Sequence, residues 1–200
     1  MDRVRVSWDE VLDSIETCEK CPLRAGCRQT VPGEGDAHAK LMFIGEGPGA
    51  EEDRLGRPFV GASGQLLDRM ISAIGLEREQ VYIGNVVKCR PPGNRQPLPE
   101  EAEACLPFLR AQVALVRPKV IVLLGATAAR YTLSPDIRIT RDRGNWYERK
   151  GVWMMPTYHP SALLRDPSLK RAAWADLQAV RDKLTEIEKM QAGIAPAEGD

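Results

Sequence analysis

Histidine is scarce in this sequence, and long apolar runs are absent. Two histidines occur among 200 residues, and no apolar stretch approaches the ~20 residues that a membrane-spanning helix requires. The amino terminus, MDRVRVSWDE, lacks the apolar centre of a secretory signal. We therefore expect a cytoplasmic protein that does not contact a membrane, and each histidine becomes a candidate for chemistry.

Excess charge of either sign is also missing, because 28 Lys and Arg balance 28 Asp and Glu. A basic surface over the whole molecule is thereby excluded, so any contact with nucleic acid must come from local patches. The chain is long enough for one core without staples. We expect a single domain over residues 1–188, a flexible tail over residues 189–200, and a monomer.

Five cysteines occur in a compartment where disulfides are not expected, which leaves metal binding or inert burial. Cys18 and Cys21 form a C-x2-C pair, whereas Cys89 and Cys105 are separated by fifteen residues, which does not match a zinc ribbon. Two distant thiolates joined to one C-x2-C pair suit zinc or an iron–sulfur cluster equally well on spacing. Cys27 is the odd thiol and an alternative ligand.

Four short apolar runs predict strands that are buried on both faces, as in a parallel sheet. They are KLMFIGEG (40–47), VYIGNVV (81–87), KVIVLLG (119–125) and VWMMPTYH (152–159). Helical patterns occupy residues 63–76 and 99–116, a short stretch after residue 125, and about residues 170–189. The order of these elements predicts an open α/β fold in three layers.

Three local features carry further expectations about secondary structure. Residues 137–151 are predicted to form a hairpin with its turn near Gly144. Pro107 is expected to kink or divide the helix that contains it. Residues 18–35 are predicted to be loop, because prolines and glycines interrupt a polar stretch.

Small or polar residues stand where the predicted strands end, and open α/β folds bind ligands at these ends. They include the turn GEGPG (45–49), Asn85 and His159. The turn does not match a dinucleotide fingerprint, since its acidic residues would repel phosphate and Pro48 lacks an amide donor. A buried Asn85 either belongs to a structural network or pairs its carboxamide with an imide edge.

Two loop features supply further candidates for the site. Phe59, in GRPFVGASG (56–64), is either a local plug or a flat face for a ring to stack on. Ser63 is expected to cap the next helix, where a phosphate could bind. Three basic clusters near the strand ends form either a phosphate track or ordinary solvated surface; they are Lys88, Arg90 and Arg95, then Arg138, Arg141 and Arg143, then Arg165, Lys170 and Arg171.

Taken together, four segments resemble the family 4 uracil-DNA glycosylases, the iron–sulfur branch of the uracil-DNA glycosylase superfamily. They are GEGPGAEEDRLGRPFVG, VYIGNVVKCRPPGNRQPLPEEAEAC, ITRDRGNWY and YHPSALLRD. The resemblance spans about residues 8–185. It implies a four-stranded parallel sheet between helices, and a [4Fe–4S] cluster held by Cys18, Cys21, Cys89 and Cys105 with Cys27 free.

The implied activity is hydrolysis of the N-glycosidic bond of deoxyuridine in single- or double-stranded DNA, which leaves an abasic site. Phe59 would stack on the flipped uracil, and Asn85 would read its O4 and N3–H. His159 would donate to uracil O2 as negative charge builds there. Ser161 would hold a phosphate, and Leu163, with Arg165 beside it, would enter the emptied base stack.

The turn that begins at Gly45 departs from the wider superfamily at two positions. Relatives in family 1 carry a water-activating aspartate where this chain has Gly47, so Glu46 and Glu52 become the candidates for that role. A tyrosine in a related family excludes the 5-methyl group of thymine, whereas Gly49 stands at that position here. Another side chain, with Glu52 as the candidate, must then supply the wall.

Two other hypotheses belong to different functional classes. One is a non-catalytic or covalent binder of uracil-DNA or abasic sites that carries an iron–sulfur cluster. The covalent branch of the superfamily uses a histidine in an inserted basic loop, and NVVKCRPPGNR contains none. The other is an iron–sulfur accessory domain for replication, which would bind DNA without releasing a base.

Overall fold

The computed structural model describes residues 7–192. The strands in this part of the chain are β1 (Glu34–Gly35), β2 (Leu41–Gly45), β3 (Tyr82–Asn85), β4 (Val120–Leu124), β5 (Tyr147–Arg149) and β6 (Val152–Thr157). They form one sheet in the order β1-β3-β2-β4-β6-β5. The central four are parallel, and β1 and β5 pair antiparallel at the edges. The α/β class is confirmed, but the sheet has six strands rather than four.

Helices cover both faces of the sheet. They are α1 (Trp8–Glu16), α2 (Leu23–Gly26), α3 (Ala50–Leu55), α4 (Ala62–Ala73), α5 (Pro99–Val116), α6 (Gly125–Thr132), α7 (Ile139–Asp142), α8 (Pro160–Arg165) and α9 (Lys170–Gln191). Short 3-10 turns occupy Arg78–Gln80, Pro92–Asn94 and Pro167–Leu169. Helix α1 begins with a capping box, in which the Glu10 amide donates to the Ser7 hydroxyl and the Ser7 amide donates to the Glu10 carboxylate.

Alternate residues of β2 enter two separate cores, which accounts for its uninterrupted apolar run. Met42 and Ile44 pack with α1 and α5, whereas Leu41 and Phe43 pack with α4 and α9. Each of these four residues is at most 1 % exposed. The sheet is therefore the middle of three layers, and its functional surface is left to the strand ends.

The predicted hairpin over residues 137–151 is wrong. Residues 139–142 form α7, because Asp142 accepts a hydrogen bond from the Arg138 amide at the start of that turn. The hairpin of this region joins β5 to β6, and its turn lies at Lys150 and Gly151, both with positive φ. Gly144 instead packs against the Asp176 carboxylate.

Other boundaries also differ from the sequence predictions. Helix α5 is a single helix that includes Pro107, so the proline does not divide it. The stretch predicted as loop between residues 18 and 35 contains α2 and β1. Helix α9 continues through residues 189–191, where a flexible tail was predicted, and residues 193–200 lie outside the described residues.

The single-domain and monomer assignments stay predictions. Within residues 7–192, no helix combines the length and the apolar character needed to cross a bilayer.

Candidate active site

A pocket of about 570 Å³ opens at the carboxyl ends of the four parallel strands. Nine of the predicted site residues line it: Glu46, Gly47, Glu52, Phe59, Ser63, Asn85, His159, Ser161 and Arg165. Residues that were predicted from the ends of separate strands therefore border a single cavity. Gly45 and Leu163 are not part of the lining.

Gly45 lies behind the pocket and lets two side chains meet there. A Cβ atom at this position would stand 2.4 Å from Asn85 Oδ1 and 2.5 Å from Phe59 Cζ. Both distances are too short for any side chain, so glycine is required by close approach. The last residue of β2 therefore determines how Phe59 and Asn85 come together.

Asn85 ends β3 with its side chain directed at this cavity and is 1 % exposed. Its Oδ1 atom has no hydrogen-bond partner within the described part of the chain. Leaving a buried acceptor unpaired costs about 1–3 kcal/mol. An unpaired acceptor in a pocket indicates a site that awaits a donor from a ligand.

The main chain of Asn85 is held by a buried lysine. Lys88 Nζ donates to the Asn85 carbonyl (2.9 Å) and to Gln112 Oε1 (2.7 Å). Gln112 in turn donates to the Pro32 carbonyl (2.8 Å) and to the Tyr82 hydroxyl (3.1 Å). Lys88 is 2 % exposed, so it belongs to this network and not to the predicted phosphate track.

Phe59 is 5 % exposed and adopts φ 51°, in the left-handed region that non-glycine residues rarely occupy. Its ring centroid lies 5.6 Å from that of His159, with 32° between the ring planes. The two rings and the Asn85 carboxamide therefore border the same part of the cavity.

His159 ends the loop after β6 and precedes α8. Its Nδ1 accepts a hydrogen bond from the Ser161 amide (3.1 Å) and lies 2.8 Å from the Ser161 hydroxyl oxygen. Because Nδ1 is an acceptor, the proton of the neutral ring is on Nε2. Burial, followed by the positive charge of Arg165, lowers the pKa of His159 to about 4, so the imidazole is neutral at pH 7.

The lowered pKa of His159 predicts an acid-sensitive fold. The unfolded chain binds a proton near pH 6.5, whereas the folded chain does so only near pH 4, so stability is lost as the pH falls between these values. The loss is on the order of 3 kcal/mol. Urea unfolding at pH 7.5 and pH 5 measures about 2 kcal/mol of this loss, with His159→Gln as the control; an equal loss in both proteins would contradict the assignment.

The two candidate glutamates have different surroundings. Glu46 is half-buried and accepts a hydrogen bond from the Thr127 hydroxyl. Glu52 accepts hydrogen bonds from the amides of Gly49 (3.1 Å), Val60 (2.9 Å) and Gly61 (2.9 Å), which joins two loops. The Glu52 carboxylate thus accepts three main-chain hydrogen bonds, whereas the Glu46 carboxylate accepts one and can accept more from a group in the pocket.

The helix that Ser63 was predicted to cap begins two residues earlier than such a cap requires, at Ala62. Gly61 is the N-cap of α4, and its amide is already taken by Glu52. Ser63 lies in the first turn and is half-buried at the pocket wall. The prediction that it caps the helix is therefore wrong, although its hydroxyl still borders the cavity.

Several of the predicted basic residues are committed to ion pairs. Arg95 binds Glu101 (2.6 Å), Arg141 binds Asp142 (2.7 Å), and Arg143 binds the buried Asp176. Two of these pairs join separate segments of the chain and so were not apparent in the sequence, whereas Arg141 and Asp142 are adjacent. The other predicted basic residues outside the core make no ion pair within the described part of the chain; they are Arg90, Arg138, Arg165, Lys170 and Arg171.

Leu163 does not reach the surface. It is 2 % exposed and packs in the core formed with α4 and α9, whereas Leu164 is 42 % exposed. Consecutive helical residues point about 100° apart, so a shift of one residue along α8 exchanges a buried side chain for an exposed one. Leu164, and not the predicted Leu163, is the apolar side chain available for contact with a partner.

A second cavity is lined by four cysteines: Cys18, Cys21, Cys89 and Cys105. The apolar part of its wall is formed by Ile15, Leu23, Val87, Ala104 and Phe108, and three basic residues also border it: Lys20, Arg24 and Lys88. Cys27 contacts Cys89 but does not line this cavity. Within residues 7–192, no three metal-binding side chains converge on a point suited to a single ion. Four separated thiols around one space fit a polynuclear cluster better than a mononuclear zinc site.

Comparison with known proteins indicates the family to which the chain belongs. The family model of the Uracil DNA glycosylase superfamily matches residues 32–178, which contain the whole pocket. The chain therefore belongs to this superfamily.

Individual relatives identify the branch. A type-4 uracil-DNA glycosylase of Thermotoga maritima is 46 % identical over 86 % of this chain and 91 % of its own length. One from Sulfurisphaera tokodaii is 44 % identical over 88 % of this chain and 84 % of its own. A type-5 enzyme of Pyrobaculum aerophilum is more distant, at 32 % identity over 82 % and 88 %. The chain belongs to the type-4 uracil-DNA glycosylase family.

Proposed function

We propose that the chain is a monofunctional uracil-DNA glycosylase, which flips uracil out of DNA and hydrolyses its N-glycosidic bond to leave an abasic site. The unpaired Oδ1 of Asn85, in a pocket bordered by the Phe59 and His159 rings, carries this proposal. No lysine lines the cavity among the described residues. An amine to form a Schiff base with the sugar is therefore not at hand, which supports hydrolysis by water alone.

Asn85 supplies discrimination between uracil and cytosine. Its Oδ1 accepts the N3–H of uracil, and the side-chain amide donates to O4. Cytosine carries no proton on N3 and an amino group in place of O4, so both groups of Asn85 would be unpaired or opposed. Sites that read a polar edge in this way discriminate strongly, because a mismatch leaves buried polar groups without partners.

Exclusion of thymine falls to the loop around Gly49. The Glu52 carboxylate connects the amide of Gly49 to those of Val60 and Gly61, on the segment that follows Phe59. We assign Glu52 the role of holding this wall in place. A 5-methyl group would press against a loop that is tied at both ends.

His159 assists departure of the base. Cleavage produces an oxocarbenium-like sugar while negative charge grows on uracil O2. A neutral imidazole with its proton on Nε2 is a donor for that oxygen, and the Ser161 amide keeps the ring in this tautomer. The charge is stabilised by a hydrogen bond, and no proton needs to be transferred.

Glu46 is the group that we assign to the attacking water. Its carboxylate is oriented by Thr127 and borders the cavity. An aspartate at Gly47, as in family 1, would require movement of Val87, because a Cβ there would stand 2.7 Å from its methyl carbon. The carboxylate one residue earlier therefore takes that role in this chain.

The exposed surface near the pocket fits a DNA strand. Arg165 is exposed at the rim, and Ser161 lies at the first turn of α8 beside it. Phosphate contacts from these residues would position the strand, and the exposed Leu164 would enter the stack that the base leaves.

Replacing Leu163 and Leu164 with alanine, one at a time, separates packing in the core from insertion into DNA. Leu163→Ala is expected to lower the free energy of unfolding by about 2–5 kcal/mol, because it opens a cavity in the core. Leu164→Ala is expected to leave it within about 0.5 kcal/mol of wild type and to slow uracil release from duplex more than from single-stranded DNA. Equal rates on duplex for Leu164→Ala and wild type would rule out its insertion.

The four-cysteine cavity supports the proposal that a [4Fe–4S] cluster is held by Cys18, Cys21, Cys89 and Cys105. The cluster would join the segment between α1 and α2 to the segment after β3 and to α5. Iron–sulfur clusters carry electrons in many proteins, but the base pocket calls for no redox chemistry. We assign the cluster a structural role.

Cys89→Ser is expected to lose bound iron, the brown colour and solubility, because a buried ligand is removed. Cys27→Ser is the matched control and is expected to keep the iron content of wild type. Metal analysis, absorbance and the yield of soluble protein measure the difference. A colourless wild type that contains zinc would overturn the cluster.

The function is tested on an oligonucleotide with one uracil, incubated with protein and then treated with alkali. Strand cleavage at uracil, with no cleavage of the matched thymine or cytosine oligonucleotide, is the expected result. An intact strand that shifts on a gel would favour a binding protein instead. A covalent adduct trapped by borohydride would contradict the monofunctional mechanism.

A further inference from the structure

Outside the pocket, the guanidinium of Arg78 makes a dense set of contacts. Nε and Nη2 donate to Glu34 Oε1 (2.8 and 2.6 Å), and Nη1 donates to Asp68 Oδ1 (2.6 Å). The side chain is 15 % exposed. Because Glu34 belongs to the edge strand β1 and Asp68 to α4, Arg78 is fixed between the sheet and a helix.

Two further hydrogen bonds connect Arg78 to the loop that carries Phe59. Nη1 donates to the Phe59 carbonyl (3.2 Å), and Nη2 donates to the Pro58 carbonyl. One planar, rigid group thus holds two consecutive peptide carbonyls. A guanidinium is suited to this, since its donors have a fixed geometry that an ammonium cannot reproduce.

The loop needs restraint because of the conformation of Phe59. A non-glycine residue in the left-handed region costs on the order of 1–2 kcal/mol, and Phe59 has φ 51°. Its carbonyl lies directly over Gly64, where a Cβ atom would stand 1.8 Å from the oxygen. Relaxation of this backbone would move the ring away from Gly45 and His159.

We propose that Arg78 is a positioning residue that holds Phe59 in its left-handed conformation, so that the phenyl ring forms one wall of the base pocket. This inference rests on the proposed function, which gives Phe59 the role of stacking on uracil. Arg78 does not itself line the pocket. Its effect on the reaction must therefore pass through Phe59.

A neighbouring arginine provides a matched control. Arg57 also binds the Glu34 carboxylate, through Nε (2.7 Å) and Nη2 (3.2 Å), but its side chain is 61 % exposed. Among the described residues it donates to no carbonyl of the Phe59 loop. Replacing Arg57 removes a cation from Glu34 and leaves the loop contacts of Arg78 in place.

The test is a double-mutant cycle of Arg78→Met and Phe59→Ala, read as single-turnover release of uracil from a single-stranded oligonucleotide. Arg78→Met is expected to slow release by about 10- to 100-fold, because small displacements of binding groups have effects of that size. In the Phe59→Ala background it is expected to add no more than about twofold. Arg57→Met is expected to stay within about twofold of wild type.

Each outcome separates this proposal from the proposed function. Equal slowing in both backgrounds, or no slowing in the wild-type background, overturns the positioning role of Arg78. If Arg78→Met does not fold, Arg78→Lys is used in the same cycle; it retains the charge beside Glu34 but not the pair of loop contacts, and an additive effect again overturns the role. Phe59→Ala at the wild-type rate contradicts stacking, and a wild type that releases no uracil contradicts the function and this inference with it.

Discussion

Asn85→Leu is expected to lose uracil release by at least roughly 100-fold while the protein becomes more stable. The loss follows because both hydrogen bonds to the uracil edge disappear, and such bonds account for strong discrimination in polar sites. The gain in stability follows because the unpaired Oδ1 is removed, which relieves about 1–3 kcal/mol. The substitution is thus expected to lower the activity and to raise the stability.

Three measurements check this prediction: single-turnover release of uracil, the midpoint of urea unfolding, and affinity for an oligonucleotide without uracil. The last is expected to match wild type, since phosphate contacts do not involve Asn85. Asn85→Ala should lose activity to the same extent, but it leaves a cavity and so gains less stability. Unchanged turnover in either variant would remove Asn85 from the recognition of the base.

His159→Ala is expected to slow the chemical step by about 100- to 1000-fold, the cost of removing one donor to a developing oxyanion. Ser161→Ala is the matched control. It removes the hydroxyl near Nδ1 but keeps the Ser161 amide that fixes the tautomer, so its effect should be much smaller. Single-turnover rates at saturating protein isolate this step from DNA binding.

The pH dependence gives a second check on His159. Because the imidazole has a pKa of about 4, its titration should not affect the wild-type rate between pH 6 and pH 8. A wild-type rate that changes with an apparent pKa near 6.5, and a His159→Ala variant that lacks this change, would show that the ring is not held neutral. Equal rates for His159→Ala and wild type would refute its part in departure of the base.

The sequence predicted those features that a local pattern of residues determines. The apolar runs predicted the four parallel strands, since strands buried on both faces cannot alternate with polar residues. Asn85 and His159 became candidates because each is a polar residue at the end of an apolar run. The expectation that they share a cavity with Phe59 matches the pocket lining.

What could not be predicted depends on contacts between distant residues. Thr127 orients Glu46 from 81 residues away, and no local pattern announces such a pair. Arg143 looks like an unpaired surface cation in the sequence, yet it binds Asp176, 33 residues further on. Leu163 and Leu164 are the same residue type, so only the packing of α8 decides which one faces solvent.

The network around Lys88 has a consequence for motion. It joins Tyr82 and Asn85 of β3 to Gln112 of α5 through buried hydrogen bonds, and Gln112 to the Pro32 carbonyl through a part-buried one. No one of these segments can separate without breaking hydrogen bonds to the others. The amides at the end of β3 should therefore exchange with deuterated solvent only when the whole domain opens, and the strand that ends in Asn85 is expected to be among the last parts of the molecule to fluctuate.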